Sequence, residues 1–270
     1  MVSNVQLAGL ILCLIVPLLV SILLFIYMKR KTKVKGLFIA FMFGLVGFIW
    51  QAFIKGYIMA MVAAPMTQDS FFDSGVGLVL GQAVTTLVDA AFVALALIWA
   101  LYFSNLRDQL LERAPFIGLG FGFAYSVMNY IIRFAPYLIR SIQIKTGSIA
   151  ATEADLEAIN SLSVDNMFLF VLACVLYTFF ITGVTLLMGF FHQNHSRGRM
   201  FMTGLVCSFI VGFFNVLLPT LLPDTVSVVV YNALLAGAAV YAFWTVVQYL
   251  KSGKYMIAKE KPGESLLPKK

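Results

Sequence analysis

The chain has 270 residues, of which 61% are hydrophobic and only 11% charged, and its mean hydropathy is +0.94. A water-soluble domain carries about a quarter charged residues, so this composition excludes a soluble enzyme or scaffold and places the chain among membrane proteins. The net charge of +7 reads as topology and not as nucleic-acid binding, because Lys and Arg collect on cytoplasmic loops of membrane proteins.

A helix needs roughly twenty apolar residues to cross a bilayer core about 30 Å thick. Seven runs qualify, at 5–28, 36–64, 74–103, 115–139, 164–191, 200–222 and 226–250. They are continuous, whereas a transmembrane barrel shows short alternating segments. Lipid cannot satisfy exposed backbone groups, so each run is expected to be a helix. The fold class is therefore all-α: a polytopic membrane bundle of about seven transmembrane helices. Residues 1–250 form a single transmembrane domain, and 251–270 a short basic tail that is either a plain solvated terminus or rests on anionic lipid.

Orientation follows from the basic residues. Lys29, Arg30, Lys31, Lys33 and Lys35 fill the first connection, Arg107 and Arg113 the third, Arg197 and Arg199 the fifth, and six lysines the tail. These fifteen of nineteen cations fall on one side, which places the carboxyl terminus in the cytoplasm and the amino terminus outside. The exceptions are Lys55, Arg133, Arg140 and Lys145. The first run is not a cleavable signal peptide, because its positive cluster follows the apolar stretch. The polar connection 151–163 reads as a short surface helix capped by Thr152.

Charges inside the apolar zone need a partner or a task, since each costs a few kcal/mol on insertion scales. Lys55, Asp89 and Arg133 lie about 14, 20 and 9 Å deep, counted at about 1.5 Å per residue from the outer ends. Lys55 and Asp89 are within reach of an ion pair. Arg133 either snorkels to the interface or holds an anionic group. Tyr125, Asn129, Arg133 and Tyr137 recur every four residues on the fourth run, as Gln51 and Lys55 do on the second. That spacing gathers polar groups on one helical face. Gln51, Lys55, Asp89, Tyr125, Asn129 and Arg133 thus form a candidate intramembrane polar cavity, or else bridge helices as packing contacts.

In "GLGFGF", Gly118 and Gly122 make a small-xxx-small face for close helix approach, with Gly120 between them. A dinucleotide fingerprint would need a preceding strand, which the apolar pattern does not offer. Cys13, Cys174 and Cys207 sit in apolar runs without metal spacing. His192 and His195 lie in "HQNH" at a helix end; two imidazoles fall short of the three or four ligands a metal normally takes. No metal or cofactor is expected.

The outward amino terminus, the basic first loop and "GLGFGFAYSVM" opening the fourth run resemble the YhfC-type membrane peptidases, which are similar to the CAAX-processing and bacteriocin-immunity glutamic intramembrane proteases. The resemblance covers most of the chain to about residue 250, and it implies a bacterial plasma membrane. The family pattern has a glutamate pair followed four residues later by arginine; Tyr102 and Phe103 occupy those positions here, with Arg107 retained. Phe121 and Tyr125 stand where a histidine or glutamate follows the glycines. Val211 stands where a histidine precedes Asn215 by four residues. Hydrolysis of this type needs a carboxylate base and oxyanion donors. Phenylalanine and valine transfer no proton, and tyrosine, with a reference pKa near 10, is a poor base at neutral pH. No residue is assigned a catalytic role.

The sequence points first to a peptidase-like scaffold without its reagents, which binds a membrane partner or substrate helix within the bundle, or a second copy of itself. Two alternatives stay open. One is an active peptidase using Asp89, Glu112 or the two histidines. The other is a subunit that binds or transports a small anionic solute through Gln51, Lys55, Asn129 and Arg133.

Overall fold

The computed structural model describes residues 3–32, 34–68, 75–104, 110–150, 152, 156, 159 and 164–251. The described residues form helices and turns, with no strand among them. In chain order the helices are α1 (Asn4–Lys31), α2 (Leu37–Gln68), α3 (Gly75–Phe103) and α4 (Leu110–Ser126). A π-helical turn (Val127–Ile131) then leads into α5 (Ile132–Lys145), followed by α6 (Val164–Gln193), α7 (Arg197–Leu221) and α8 (Asp224–Lys251). Among the described residues six helices are long and apolar enough to cross a membrane, and seven spans result if α4 and α5 count as one bent span.

Local chemistry sets the ends. Ser3 Oγ accepts from Gln6 N at 3.1 Å while Ser3 N donates to Gln6 Oε1 at 3.2 Å, a capping box that starts α1. Lys29, Arg30 and Lys31 close the same helix where its dipole favours cations. Gly36 turns the chain with φ +77°, and its α-carbon faces the Arg113 guanidinium. Of the expected surface helix at 151–163, only Thr152, Leu156 and Ile159 are described. Leu156 N donates to Thr152 O at 3.2 Å, and Ile159 is buried. The tail beyond Lys251 lies outside the described residues.

Helix α6 is the hub, packed against α1, α4, α7 and α8. Helix α2 packs on α4 and α3, α3 on α7, and α7 on α8, which closes the bundle around it. Its core is built from Phe116, Ile117 and Phe121 of α4 with Phe180, Ile181, Val184 and Met188 of α6. A smaller apolar cluster joins Leu10 and Cys13 of α1 to Phe134 of α5 and Met167, Val171 and Cys174 of α6.

The glycines of "GLGFGF" divide between two partners. A Cβ on Gly118 would stand 2.6 Å from Thr182 Cα, and one on Gly122 2.9 Å from Thr178 Cα, so this pair faces α6. Gly120 faces α2: its Cβ would lie 1.9 Å from Phe41 O, and one on Gly44 1.9 Å from Ile117 O. Helix α4 is therefore held at backbone contact on both sides. On α6, Thr178, Thr182 and Thr185 donate their hydroxyls to Cys174 O, Thr178 O and Ile181 O at 3.0, 2.7 and 2.7 Å. Their polar atoms are thus satisfied within the helix, as an apolar medium demands.

The fourth run departs from the expected continuous crossing at 115–139. The helix begins earlier, at Leu110, and bends by 46° between the segments Leu110–Asn129 and Phe134–Lys145. Ile132 N donates to Val127 O in the π pattern, and Asn129 Nδ2 donates to Tyr125 O at 3.1 Å. Pro136 has no N–H for Ile132 O, and its ring crowds that carbonyl. Hydropathy registers none of these local effects.

Gly120→Ala is expected to destabilise the protein by about 3 kcal/mol or more, the upper end of overpacking, because backbone and not a flexible side chain blocks the new methyl. Gly237, with nothing within 4 Å of its Cβ position, should tolerate alanine without loss. Thermal unfolding in detergent compares the two; equal midpoints would contradict the α2–α4 contact.

Candidate functional site

Two polar clusters among the described residues are candidate sites. The first joins α2 to α3: Lys55 Nζ stands 2.7 Å from Asp89 Oδ1, and Gln51 Nε2 donates to the same oxygen at 3.2 Å. Gln51 is buried, and its Oε1 has no hydrogen-bond partner among the described residues. The ion pair is about a third exposed, at 35% and 33%. Lys55 neutralises Asp89 in a medium that penalises either charge alone.

The second group surrounds a cavity of about 380 Å³ at the end of the bundle that carries the α7–α8 turn. Helix α4 and the π-turn contribute Tyr125, Met128 and Asn129, α7 contributes Asn215, and α8 contributes Ser227 and Tyr231. Phe134 of α5 and Phe170 of α6 add apolar walls. Met128, Asn129 and Asn215 are exposed at the mouth, while Phe134 and Ser227 are buried. The π-turn presents Asn129 here: the extra residue in that turn rotates the following side chains relative to α4. The described lining mixes hydroxyl and amide groups with aromatic faces and carries no formal charge.

Aromatic rings pack on Tyr125. It stacks on Tyr177 with centroids 3.9 Å apart and planes at 24°, and meets Phe48 edge-on at 6.0 Å.

Of the six residues expected to share one polar cavity, Tyr125 and Asn129 line it. Gln51, Lys55 and Asp89 form the separate cluster beside it, and the side chain of Arg133 lies outside the described residues. The described positions matched to the peptidase pattern are spread along the bundle and do not converge on one site. Tyr102 packs edge-on against His192 at 4.5 Å, and Phe103 lies against Trp99 at 5.2 Å, both exposed at the end of α3. Tyr125 sits fifteen residues along α4 from Leu110, about 22 Å away from that end. Phe121 is buried against Phe48 at 5.1 Å, and Val211 is buried in the main core. Asn215 reaches the cavity with Tyr125, and Arg107 lies outside the described residues. The sequence missed Ser227, Tyr231 and Tyr177. The i, i+4 spacing of Ser227 and Tyr231 on an apolar helix was the signal available for the first two.

Among the described residues no three side chains of the metal-ligating types converge, and Cys13, Cys174 and Cys207 are free thiols. No protein-family model, curated protein or solved structure matches this chain.

Replacing Asp89 by Asn or Lys55 by Met leaves one charge unmatched within the bilayer and should destabilise by about 2–3 kcal/mol. The double variant should recover most of that loss. Thermal unfolding of the four proteins checks this; additive losses would show that the pair is not coupled.

Proposed function

We propose that this chain is an integral membrane protein that binds a small, uncharged, hydrogen-bonding molecule in the cavity between the π-turn, α6, α7 and α8. The observation that carries it is the lining itself: Tyr125, Asn129, Asn215, Ser227 and Tyr231 offer neutral donors and acceptors around about 380 Å³, beside Phe134 and Phe170. That volume falls within the range of about 300–1,000 Å³ typical of small-molecule sites.

Size weighs against a partner or substrate helix at the same place. A helix about 10 Å across occupies about 120 Å³ per residue, so the cavity holds about three residues of one. Charge weighs against an anionic solute, because Lys55 is committed to Asp89 and the described lining is neutral. Of the positions matched to the peptidase pattern, Tyr125 and Asn215 share the cavity, whereas Tyr102 and Phe103 stand at the opposite end. Neutral amides and phenols favour recognition over bond cleavage, since none of them is a base at neutral pH.

A panel of uncharged amphipathic molecules, screened by thermal shift on the detergent-purified chain, should contain members that raise the unfolding midpoint. A ligand at 100 times its Kd stabilises by about 2.7 kcal/mol. Asn129→Leu and Tyr231→Phe should remove most of that shift. Shifts that survive both substitutions, or that arise only with anions and vanish in Lys55→Met, would sink the neutral-site reading.

A further inference from the structure

We propose that the turn between α1 and α2 is a binding site for an anionic phospholipid, whose phosphate sits among the exposed cations of the turn while its acyl chains run along the two helices. Phe25 of α1 packs on Phe116 near the start of α4, whereas the cavity lies beyond the other end of that helix. The lipid site is therefore independent of whatever the cavity binds.

Charge is the first observation. Lys29, Arg30 and Lys31 are all exposed in the last turn of α1, and Lys35 is exposed just before α2. Behind the turn, the guanidinium of the buried Arg113 faces Gly36. Among the described residues no carboxylate pairs with Lys29, Arg30, Lys31 or Lys35. The helix dipole and the sidedness of basic residues account for cations at this end. Neither supplies an anion, and a lipid phosphate does.

The apolar surface below the cations is the second observation. Arg30 follows Tyr27, Ile26 and Leu23 by three, four and seven residues, so it closes one face of α1. Those three side chains are exposed, at 61%, 40% and 61%. The Lys31 ammonium stands 5.9 Å from the centre of the Tyr27 ring, which holds it over the same face. On α2, Phe38 and Ile39 are 64% and 55% exposed within four residues of Lys35. Phe25 meets Phe41 edge-on at 5.4 Å, which keeps the two helices side by side within two turns of their connection. A molecule with an anionic head and acyl chains matches this order of groups. A soluble phosphate would use the cations and leave the apolar faces bare, and a zwitterionic lipid brings its own cation beside the phosphate.

Native mass spectrometry and thermal unfolding of the full chain in a neutral detergent test the site. Each Lys or Arg close to an anionic lipid surface contributes about a fivefold gain in binding. From an equimolar mixture, phosphatidylglycerol should thus be retained at least about tenfold over phosphatidylcholine, and it alone should raise the unfolding midpoint. The combined variant Lys29→Gln, Arg30→Gln, Lys31→Gln should cut that preference at least about fivefold. Arg197→Gln with Arg199→Gln, which removes two exposed cations at the same end, should leave it unchanged. Preference compares two lipids on one variant, so a variant of lower stability still gives a reading. Equal retention of the two lipids overturns the proposal, as does an equal loss of preference in the Arg197 and Arg199 variant, which would mean general attraction to the basic end. A midpoint shift of the same size with inorganic phosphate alone overturns it too, in favour of a soluble anion.

Discussion

The bundle depends on α4 being held at backbone distance between two neighbours. In lipid, apolar side chains gain little by leaving one hydrocarbon surface for another, so close packing supplies much of the association energy. Gly120 with Gly44 brings α4 against α2, while Gly118 and Gly122 bring it against α6. Three glycines spaced two apart alternate between the two sides because each pair of residues rotates the helix by about 200°. Phe116 and Phe121 project between these contacts and fill the core. Phe116 and Phe121 thus have a structural role as large buried side chains.

Holding α4 so tightly displaces irregularity to its end. The π-turn at Val127–Ile131 begins five residues past Gly122, the last glycine that brings α4 to backbone distance of α6. Backbone groups released at such a break must find new partners in an apolar medium. Asn129 answers part of this need through its bond to Tyr125 O, and Ser126 Oγ donates to Gly122 O at 2.8 Å. Met128 and Asn129 of this turn line the cavity. π-Bulges are frequent at functional sites for this geometric reason: they turn side chains out of the regular helical register.

Charge is placed with equal economy. The Lys55–Asp89 pair joins α2 to α3, with the Gln51 amide adding a second donor to the carboxylate. Tyr177 stacks on Tyr125, which lines the cavity. The described polar interior thus holds a paired ionic cluster and a cavity lined by uncharged groups.

Much of the fold was legible in the chain. Composition and run length determined an all-helical membrane bundle and located six spans closely, because hydropathy is a local property that survives projection onto one dimension. The reach of Lys55 towards Asp89 was also legible, since depth follows from counting residues. The break after Ser126 was not, because it depends on Ile132 N donating to Val127 O, on the Asn129 amide donating to Tyr125 O, and on Pro136 offering Ile132 O no donor. Nor could spacing show that Gly120 turns to α2 while Gly118 and Gly122 turn to α6, or that Asn215, Ser227 and Tyr231 meet Asn129. Helical periodicity gives the angle of a side chain about its own axis, but only the packing of one helix on another decides what that angle faces.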